Sequence, residues 1–517
     1  MRRFIKRLSM IGKANMNKVK YKEKLKVLHV ASELTPIAKA GGLADVVGFL
    51  PKELAEEFHI EIKIVMPKYK NYDIQNFPAE LIMEDIKVNG FKDKSIKISV
   101  WKTYLPETIV PIYLVESNKY FSGTGVYNHV IQGMPKQTSF YFLCKVALEL
   151  LKAFDWHPNI IHCHDGMIGL LPRFLKEKSN YDFYKKIASV FTIHNLQYQP
   201  WIDFSLLGNL GFKKKYFKDT KEYFKNNKVN VMADAILNAD MINTVSPNYA
   251  REVLTKRYGA GLHQLLKKKK YAFTGILNGV DYSNFDPRTN EDTPVKYWID
   301  SLDKKVENKL ILQKKFGLTQ SPDLPLICAV TRLTEQKGLD LIEDVLKDLV
   351  DMGAQFIILG SGLERIEKIF IKAEKKYPES VEAEMEFNAN LAQTIYAGSD
   401  MLLMPSRFEP CGLSQIIAMR FGTIPIVRKT GGLADTVRDG YTGFVFRHYD
   451  KNAFLWALSR AVDVYYNQKD QWKKMQIRAM KKDFSWKQSA KKYIWLYKKA
   501  ISNHKKYLEE QKDNAKA

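Results

Sequence analysis

Short apolar runs bounded by glycine, proline or aspartate alternate with longer amphipathic segments along most of the chain. Runs of this kind are typical of buried strands, and their alternation with helical segments indicates a parallel α/β architecture. The pattern predicts strands over nine segments: Val27–Ala31, Ile62–Met66, Ile160–His162, Val190–Ile193, Met241–Val245, Leu326–Ala329, Phe356–Leu359, Met401–Met404 and Ile424–Val427. Apolar residues at helical spacing predict a helix over Pro135–Phe154.

One glycine-rich motif occurs twice in the sequence. Residues 39–47 read KAGGLADVV after the first predicted strand, and residues 429–437 read KTGGLADTV after the last. A glycine turn between a strand and a helix places backbone N–H groups and the positive helix end where an anion can bind. Two such turns predict two nucleotide-binding α/β domains that face each other across a cleft. A length of 517 residues agrees with two to four domains of about 100–200 residues.

The formal net charge is +24, and residues 1–27 contribute +9 because they hold ten Lys or Arg and one acid, Glu23. Much of the rest lies in lysine-rich segments such as 267–270, which we interpret as solvated surface. No zinc-finger, RNP-type or basic-zipper pattern occurs, so we predict no nucleic-acid partner. No apolar run reaches the roughly 18–20 residues of a membrane helix, and no secretory segment occurs. We therefore predict no membrane association and a cytoplasmic location.

Several residues that can support chemistry follow predicted strands. Glu409 lies on a Pro/Gly turn after Met401–Met404, and Arg332 and Lys337 follow the strand that begins at Leu326. The carboxyl ends of parallel strands are where open α/β sheets bind ligands. A carboxylate can accept hydrogen bonds from sugar hydroxyls, and two cations can stabilise a departing phosphate without a metal.

His162 and His164 alternate onto one face of a strand, which could indicate a metal site. The sequence offers no third ligand at a suitable spacing, and the four cysteines are scattered without a C-x-x-C pair. We therefore predict no metal and no cofactor.

Eight motifs together resemble bacterial glycogen synthases and plant starch synthases, which are retaining glucosyltransferases. In chain order they are KAGGLADVVGFLP, HCHD, HNLQYQ, NTVSPNYA, ILNGVD, RLTEQKGLDL, SRFEPCGLSQ and KTGGLADTV. The resemblance runs from about Val27 to about Ala500. It implies an α/β fold of two Rossmann-like domains facing across a cleft, the GT-B arrangement, with a C-terminal helix that crosses back to the first domain.

The resemblance divides the chain into four parts. Residues 1–22 form a basic tail that we predict to be disordered, 23–275 an acceptor-side domain, 276–485 a nucleotide-sugar domain, and 486–517 the crossover helix and tail. The tail is equally compatible with a translation start at Met16. If it is instead a transit peptide, the location would be a plastid, although the tail holds a single serine, Ser9.

The resemblance also implies roles for individual residues. On the second domain, Arg332 and Lys337 would meet the diphosphate, Glu409 would lie near the donor glucose, and Phe387 would lie against the adenine ring. The backbone N–H groups of the next turn would reach the glucose hydroxyls, and Ser414, where the family usually has Thr, would bind a phosphate oxygen. That turn consists of Cys411, Gly412 and Leu413.

On the first domain, the resemblance places His194 at the anomeric centre and Asp165 beside it in the cleft. Lys39, with its neighbours Gly41, Gly42 and Asp45, would approach the diphosphate or the acceptor from the opposite side. The implied activity is transfer of glucose from ADP-glucose to the non-reducing end of an α-1,4-glucan, with retention of configuration.

Three departures from the family pattern lie in the first domain. Gly166-Met167 replaces Trp-His, Pro200 replaces Gly, and residues 124–137 lack the usual Asp-Asn pattern. Two alternatives therefore stay open. One is a related glucosyltransferase that uses UDP-glucose or another acceptor, and the other is a weakly active glucan-binding protein.

Overall fold

A computed structural model shows the arrangement of most of the chain. The residues it describes are 24–89, 95–123, 125–127, 137–178, 181–209, 217, 222–386 and 388–516. The predicted basic tail and Phe387 lie outside them, as does the predicted helix start at Pro135; that helix spans Thr138–Ala153. Each of the nine predicted strands is present, with ends that differ by at most two residues.

Among the described residues, the first sheet has nine strands in the order β12-β11-β7-β6-β1-β2-β5-β4-β3. The strands of the first half are β1 Lys26–Val30, β2 Glu61–Pro67, β3 Glu80–Val88, β4 Ile96–Tyr104, β5 Pro111–Glu116, β6 Ile160–His164, β7 Ala188–Ile193, β8 Trp201–Asp203, β9 Phe224–Lys225, β10 Lys228–Asn230, β11 Met241–Thr244 and β12 Phe273–Gly275. The nine-stranded sheet is parallel except at β3–β4 and β4–β5. This antiparallel extension was not predicted, because β3 is a largely exposed edge strand without a buried apolar run.

Strands β8, β9 and β10 form a small separate antiparallel sheet in the order β8-β10-β9. The second large sheet is parallel throughout, in the order β15-β14-β13-β16-β17-β18. Its strands are β13 Leu326–Val330, β14 Gln355–Leu359, β15 Val381–Glu384, β16 Met401–Met404, β17 Ile424–Arg428 and β18 Phe444–Phe446. The helices between strands of the two sheets are Gly42–Glu56, Thr138–Ala153, Leu171–Glu177, Phe204–Asn209, Val231–Asn238, Pro247–Glu252, His263–Lys268, Lys305–Lys315, Leu339–Asp351, Glu364–Lys376, Ala389–Gly398, Ser414–Arg420 and Gly431–Thr436. Three helices complete the chain: Lys451–Asn467, Lys469–Met480 and Trp486–Lys516.

Two hydrophobic cores correspond to the two sheets. The first contains buried residues from Val27 to Ile276 together with Trp486, Tyr493, Leu496, Tyr497 and Ala500, and the second contains residues from Val280 to Met480. The last helix therefore packs on the first core although it follows the second domain in sequence, which confirms the predicted crossover. None of the described helices is long and apolar enough to cross a membrane.

The chain crosses from one core to the other twice, near Gly279 and near Ser485, and these two crossing segments lie side by side. Val280 N–H donates to Phe484 O (2.8 Å), and Ser489 Oγ donates to Leu277 O (2.5 Å). A Cβ at Gly279 would lie 2.6 Å from the backbone of Trp486, so the two crossing segments are in contact at a position that only glycine fits.

The duplicated glycine pair has different surroundings in the two domains. In the second domain Gly432 packs against the turn that carries Glu409: its N–H donates to Glu409 O (3.0 Å), and a Cβ would lie 2.1 Å from Cys411 O. In the first domain a Cβ at the matching Gly42 would meet nothing within 4 Å. The second copy of the motif therefore supports the turn that carries Glu409, because Gly432 packs closely against the backbone of Cys411.

We predict that Gly432→Ala destabilises the protein while Gly42→Ala does not. The added methyl at 432 must displace the Cys411 carbonyl, and such overpacking costs about 1–3 kcal/mol, which for a domain of this size lowers Tm by roughly 5 °C. At 42 the methyl meets open space at the start of a helix, where alanine is favoured. Thermal unfolding of both variants measures the difference, and equal melting temperatures would contradict the assignment of the close approach.

Candidate active site

Several of the predicted site residues that the structure describes follow the carboxyl ends of strands at or next to the point where the order of each sheet reverses. In the first sheet β1 lies between β2 and β6, and in the second β13 lies between β14 and β16. These switch points are where open α/β sheets leave a crevice for ligands. Asp165 and His194 follow β6 and β7, and Lys337 and Glu409 follow β13 and β16.

On the second domain the structure brings Lys337 and Glu409 together. Glu409 is buried, and its Oε2 accepts hydrogen bonds from Lys337 Nζ (2.6 Å) and Ser406 Oγ (3.1 Å). The buried Arg428 fixes the same turn by donating to Ser406 O (2.7 Å) and to Arg407 O. Ser406 and Arg428 were not predicted, although Ser406 stands three residues before Glu409. The result is a charged pair with little access to water, held by a rigid turn.

The other predicted residues of this domain that the structure describes follow the same two strands, β13 and β16. Arg332 is exposed just beyond β13, and Ser414 Oγ donates to Val330 O (3.1 Å) at the end of that strand. Gly412 has a φ of +73°, a conformation that suits glycine, and Leu413 directly precedes the helix Ser414–Arg420. Burial raises the pKa of Cys411 to about 12, so its side chain is a neutral thiol.

On the first domain the glycine turn is held by a carboxylate that was not predicted. Glu33 is buried, and its Oε2 accepts from the N–H groups of Ala40 (2.8 Å) and Gly41 (2.7 Å). Its Oε1 accepts from Tyr127 Oη (2.6 Å). In this structure the N–H of Gly41 therefore binds Glu33, while Lys39 Nζ pairs with Asp45 (2.7 Å). The position of Glu33, three residues after β1, was the available signal.

Asp165 has an unusual backbone and an unusual acidity. Its φ is +62°, and its buried Oδ1 accepts no hydrogen bond from the described residues. Burial raises the pKa of Asp165 to about 7; the N–H groups of Gly166, His194 and Asn195 oppose the rise, and the charge of Glu33 adds to it. Strain and an unpaired carboxylate oxygen in one residue are typical of a functional site.

His194 is buried at the end of β7, and burial lowers its pKa to about 3, so the ring is neutral at pH 7. Its Nε2 lies 3.2 Å from His164 Nδ1. His164 Nε2 lies 3.0 Å from Nδ1 of His29, and nitrogens of His29, His162 and His164 all lie within 4.8 Å of one another. A third candidate ligand, His29, therefore accompanies His162 and His164, and sequence spacing did not reveal it because parallel pairing of β1 with β6 brings His29 beside His162.

Contacts between the domains place the two halves of the site near each other. Asn248 N–H donates to Asp435 (2.8 Å), and Glu252 accepts from Gly431 N–H (3.0 Å). Tyr249, on the same first-domain helix, has its pKa raised by burial and also by the charges of Asp165 and Glu409. One residue of each domain's site therefore lies close enough to Tyr249 to affect its ionisation.

Two of the departures noted in the sequence are in contact. A Cβ at Gly166 would lie 2.6 Å from Cδ of Pro200, so a residue larger than glycine at 166 would collide with the proline ring. The two replacements are therefore one structural change, since proline at 200 requires glycine at 166. The third departure, 124–137, lies mostly outside the described residues.

Two family models match this chain, one in each half. A family model for the starch synthase catalytic domain matches residues 26–268, and one for glycosyl transferases group 1 matches residues 312–479. Glycogen synthase of Thermosipho melanesiensis is 42% identical over 486 residues, covering 92% of this chain and 99% of that protein. Glycogen synthase of Thermosipho africanus is 40% identical and covers 93% of this chain and 100% of its own.

A solved structure, the catalytic domain of starch synthase IV from Arabidopsis thaliana bound to ADP and acarbose, superposes with a TM-score of 0.85. It is 33% identical and covers 93% of this chain and 100% of that one. These matches confirm the predicted two-domain GT-B fold and the predicted relationship. The chain belongs to the glycogen synthase and starch synthase family of glycosyltransferases.

Proposed function

We propose that this enzyme transfers glucose from ADP-glucose to the 4-hydroxyl at the non-reducing end of an α-1,4-glucan, with retention of configuration. The observation that carries the proposal is the partly buried Lys337–Glu409 pair at the switch point of the second sheet, with Asp165 and His194 at the matching edge of the first. The ADP and acarbose named for the related plant structure support the donor and acceptor classes.

In this proposal the second domain binds the donor. Arg332 and Lys337 stabilise the negative charge that grows on the diphosphate as its bond to the glucose C1 breaks. Glu409 accepts hydrogen bonds from the glucose hydroxyls, and its hold on Lys337 keeps that ammonium group in place. Ser414 and the N–H groups of Cys411, Gly412 and Leu413 complete the contacts, and Phe387 lies against the adenine ring.

The first domain closes the other side of the donor. His194, being neutral, hydrogen-bonds a hydroxyl of the glucose, and Asp165 accepts from the sugar. Lys39, Gly41, Gly42 and Asp45 approach the diphosphate or the acceptor. The departing phosphate oxygen takes the proton of the incoming 4-hydroxyl on the same face of the sugar, which retains configuration without a carboxylate nucleophile. Closure excludes water that would otherwise hydrolyse the donor.

Incorporation of labelled glucose into glycogen, from ADP-glucose and UDP-glucose in parallel, tests this function. The proposal expects incorporation from ADP-glucose at the higher rate. A higher rate from UDP-glucose would establish the first alternative. Incorporation from neither donor, with glucan binding intact, would establish a glucan-binding protein instead.

We predict that Lys337→Ala and Glu409→Ala each lower kcat about 10²–10³-fold, because one anchored charge contact to the transition state is lost. The matched controls are Lys368→Ala and Glu364→Ala. These two residues form a Lys–Glu pair of the same 2.6 Å length on an exposed helix face of the same domain. Near-normal kcat in either site variant, or equal losses in the controls, would contradict the assignment.

Asp165→Asn provides a pH test. Between its ordinary pKa of 3.8 and about 7, folded Asp165 keeps a proton that the unfolded chain releases, so its contribution to stability falls as pH rises through that window. Asparagine cannot ionise. We therefore expect the variant to gain Tm relative to the parent, by about 5 °C at pH 8 and much less at pH 5, while activity falls.

The control for this experiment is Asp155→Asn. Asp155 also has a positive φ, of 44°, but its side chain is 93% exposed. Melting temperatures of both variants at pH 5 and pH 8 give the comparison. A gain for Asp165→Asn that does not change with pH would show that Asp165 is ionised throughout.

A further inference from the structure

A continuous chain of buried hydrogen-bonding side chains lies beneath His194. It runs from His194 through His164 and His29 to Tyr497 of the last helix, and then to His162; all five side chains are buried. The links are His194 Nε2–His164 Nδ1 (3.2 Å), His164 Nε2–His29 Nδ1 (3.0 Å), His29 Nε2–Tyr497 Oη (3.4 Å) and Tyr497 Oη–His162 Nδ1 (3.0 Å). Both ring nitrogens of His29 and of His164 therefore lie at hydrogen-bond distance from a partner.

The far end of the chain is anchored by groups with a defined direction. His162 Nε2 lies 2.6 Å from Thr192 Oγ1, and Thr192 Oγ1 donates to Asn243 Oδ1 (2.7 Å). The amide nitrogen of Asn243 donates to Tyr493 Oη (3.2 Å), so its oxygen is the atom that faces Thr192. Thr192 has a single hydroxyl proton, which it donates in the hydrogen bond to Asn243 Oδ1. The hydroxyl must therefore accept from His162, whose proton is then on Nε2.

Each remaining link follows from the previous one, because a neutral imidazole carries one N–H. Burial keeps all four rings neutral, lowering the pKa of His29 and His194 to about 3 and those of His162 and His164 well below the ordinary value. With Nδ1 of His162 as an acceptor, Tyr497 donates to it and in turn accepts from Nε2–H of His29.

The last two links reach the cleft. Since the proton of His29 is on Nε2, its Nδ1 accepts from Nε2–H of His164. The Nδ1 of His164 then accepts from Nε2–H of His194. His194 is left with an unprotonated Nδ1, which can accept a hydrogen bond but cannot donate one.

We propose that Tyr497, His29 and His164 are positioning residues that hold His194 in the tautomer protonated at Nε2, so that Nδ1 accepts a hydrogen bond from a donor-sugar hydroxyl. The part concerning the sugar rests on the proposed function. Through Tyr497 the last helix, which follows the second domain in sequence, sets the protonation pattern of a first-domain site. A metal ion bound to His29, His162 and His164 would need the ring-nitrogen lone pairs that already accept hydrogen bonds in this series.

The tautomer can be measured on the unmodified protein. In ¹⁵N-histidine-labelled enzyme, His194 is assigned by the signal lost in His194→Ala, and the proposal expects its proton on Nε2 with none on Nδ1. A proton on Nδ1, which reversal of the Asn243 amide would produce, or rapid exchange between both tautomers, would overturn the proposal. Stoichiometric metal in the purified protein would also overturn it.

Tyr497→Phe tests the positioning role. The change removes the donor to His162 and the acceptor of His29, so we expect mixed tautomers at His194 and a kcat lowered roughly ten- to hundredfold, with KM for ADP-glucose little changed. The control is Tyr184→Phe, because Tyr184 is equally buried in the same core but donates to the Leu148 carbonyl (3.0 Å). We expect similar melting temperatures for the two variants.

Two outcomes separate the inference from the proposed function. If His194→Ala keeps near-normal turnover while the wild-type ring shows the Nε2–H tautomer, the hydrogen-bond series is supported but the proposed role of His194 in binding the donor sugar is wrong. If His194→Ala is inactive but Tyr497→Phe keeps normal kcat and an unchanged tautomer, the positioning role is wrong.

Discussion

The packing of the last helix on the first core is the interaction on which the rest of the structure depends. Trp486, Tyr493 and Tyr497 are almost completely buried there, and the segment before them contacts the outgoing connection at Gly279. Because the chain crosses twice at one point, the two domains are joined by adjacent connections. Through Tyr497 the same helix also contacts His29 and His162 in the series of buried hydrogen bonds below the cleft. The helix that packs on the first core is thus linked by hydrogen bonds to His194 through His29 and His164.

The fold was predictable where its signals are local. Strands buried on both faces in a parallel sheet form continuous apolar runs, and each of the nine runs identified is a strand. The edge strand β3 lacks that signal because it is largely exposed, and β4 beside it alternates between buried and more exposed positions. The order of strands in the sheet also cannot be predicted from local sequence pattern, since β1 pairs with β6, which lies more than 130 residues away in the chain.

The candidate site was predictable as a set of strand-end residues but not as a set of contacts. Lys337 and Glu409 were each identified, yet their 2.6 Å ion pair follows from the adjacency of β13 and β16. Glu33 and His29 were missed for the same reason, because their importance comes from neighbours supplied by distant segments. The glycine pair at 431–432 resembles a ligand-binding turn in sequence, yet in the structure it supports the turn that carries Glu409.

The contact between Gly166 and Pro200 changes how the departures from the family pattern are interpreted. Two independent departures near Asp165 would indicate that this part of the first domain no longer keeps its packing. A single exchange, in which proline occupies the space a larger residue at 166 would need, keeps that region packed. Asp165, next to Gly166, keeps its strained backbone and high pKa, and His194 keeps its hydrogen bond to His164. Backbone strain persists only where the surrounding structure holds it in place, so the paired exchange is a local repacking beside Asp165 and not a sign that this site has been lost.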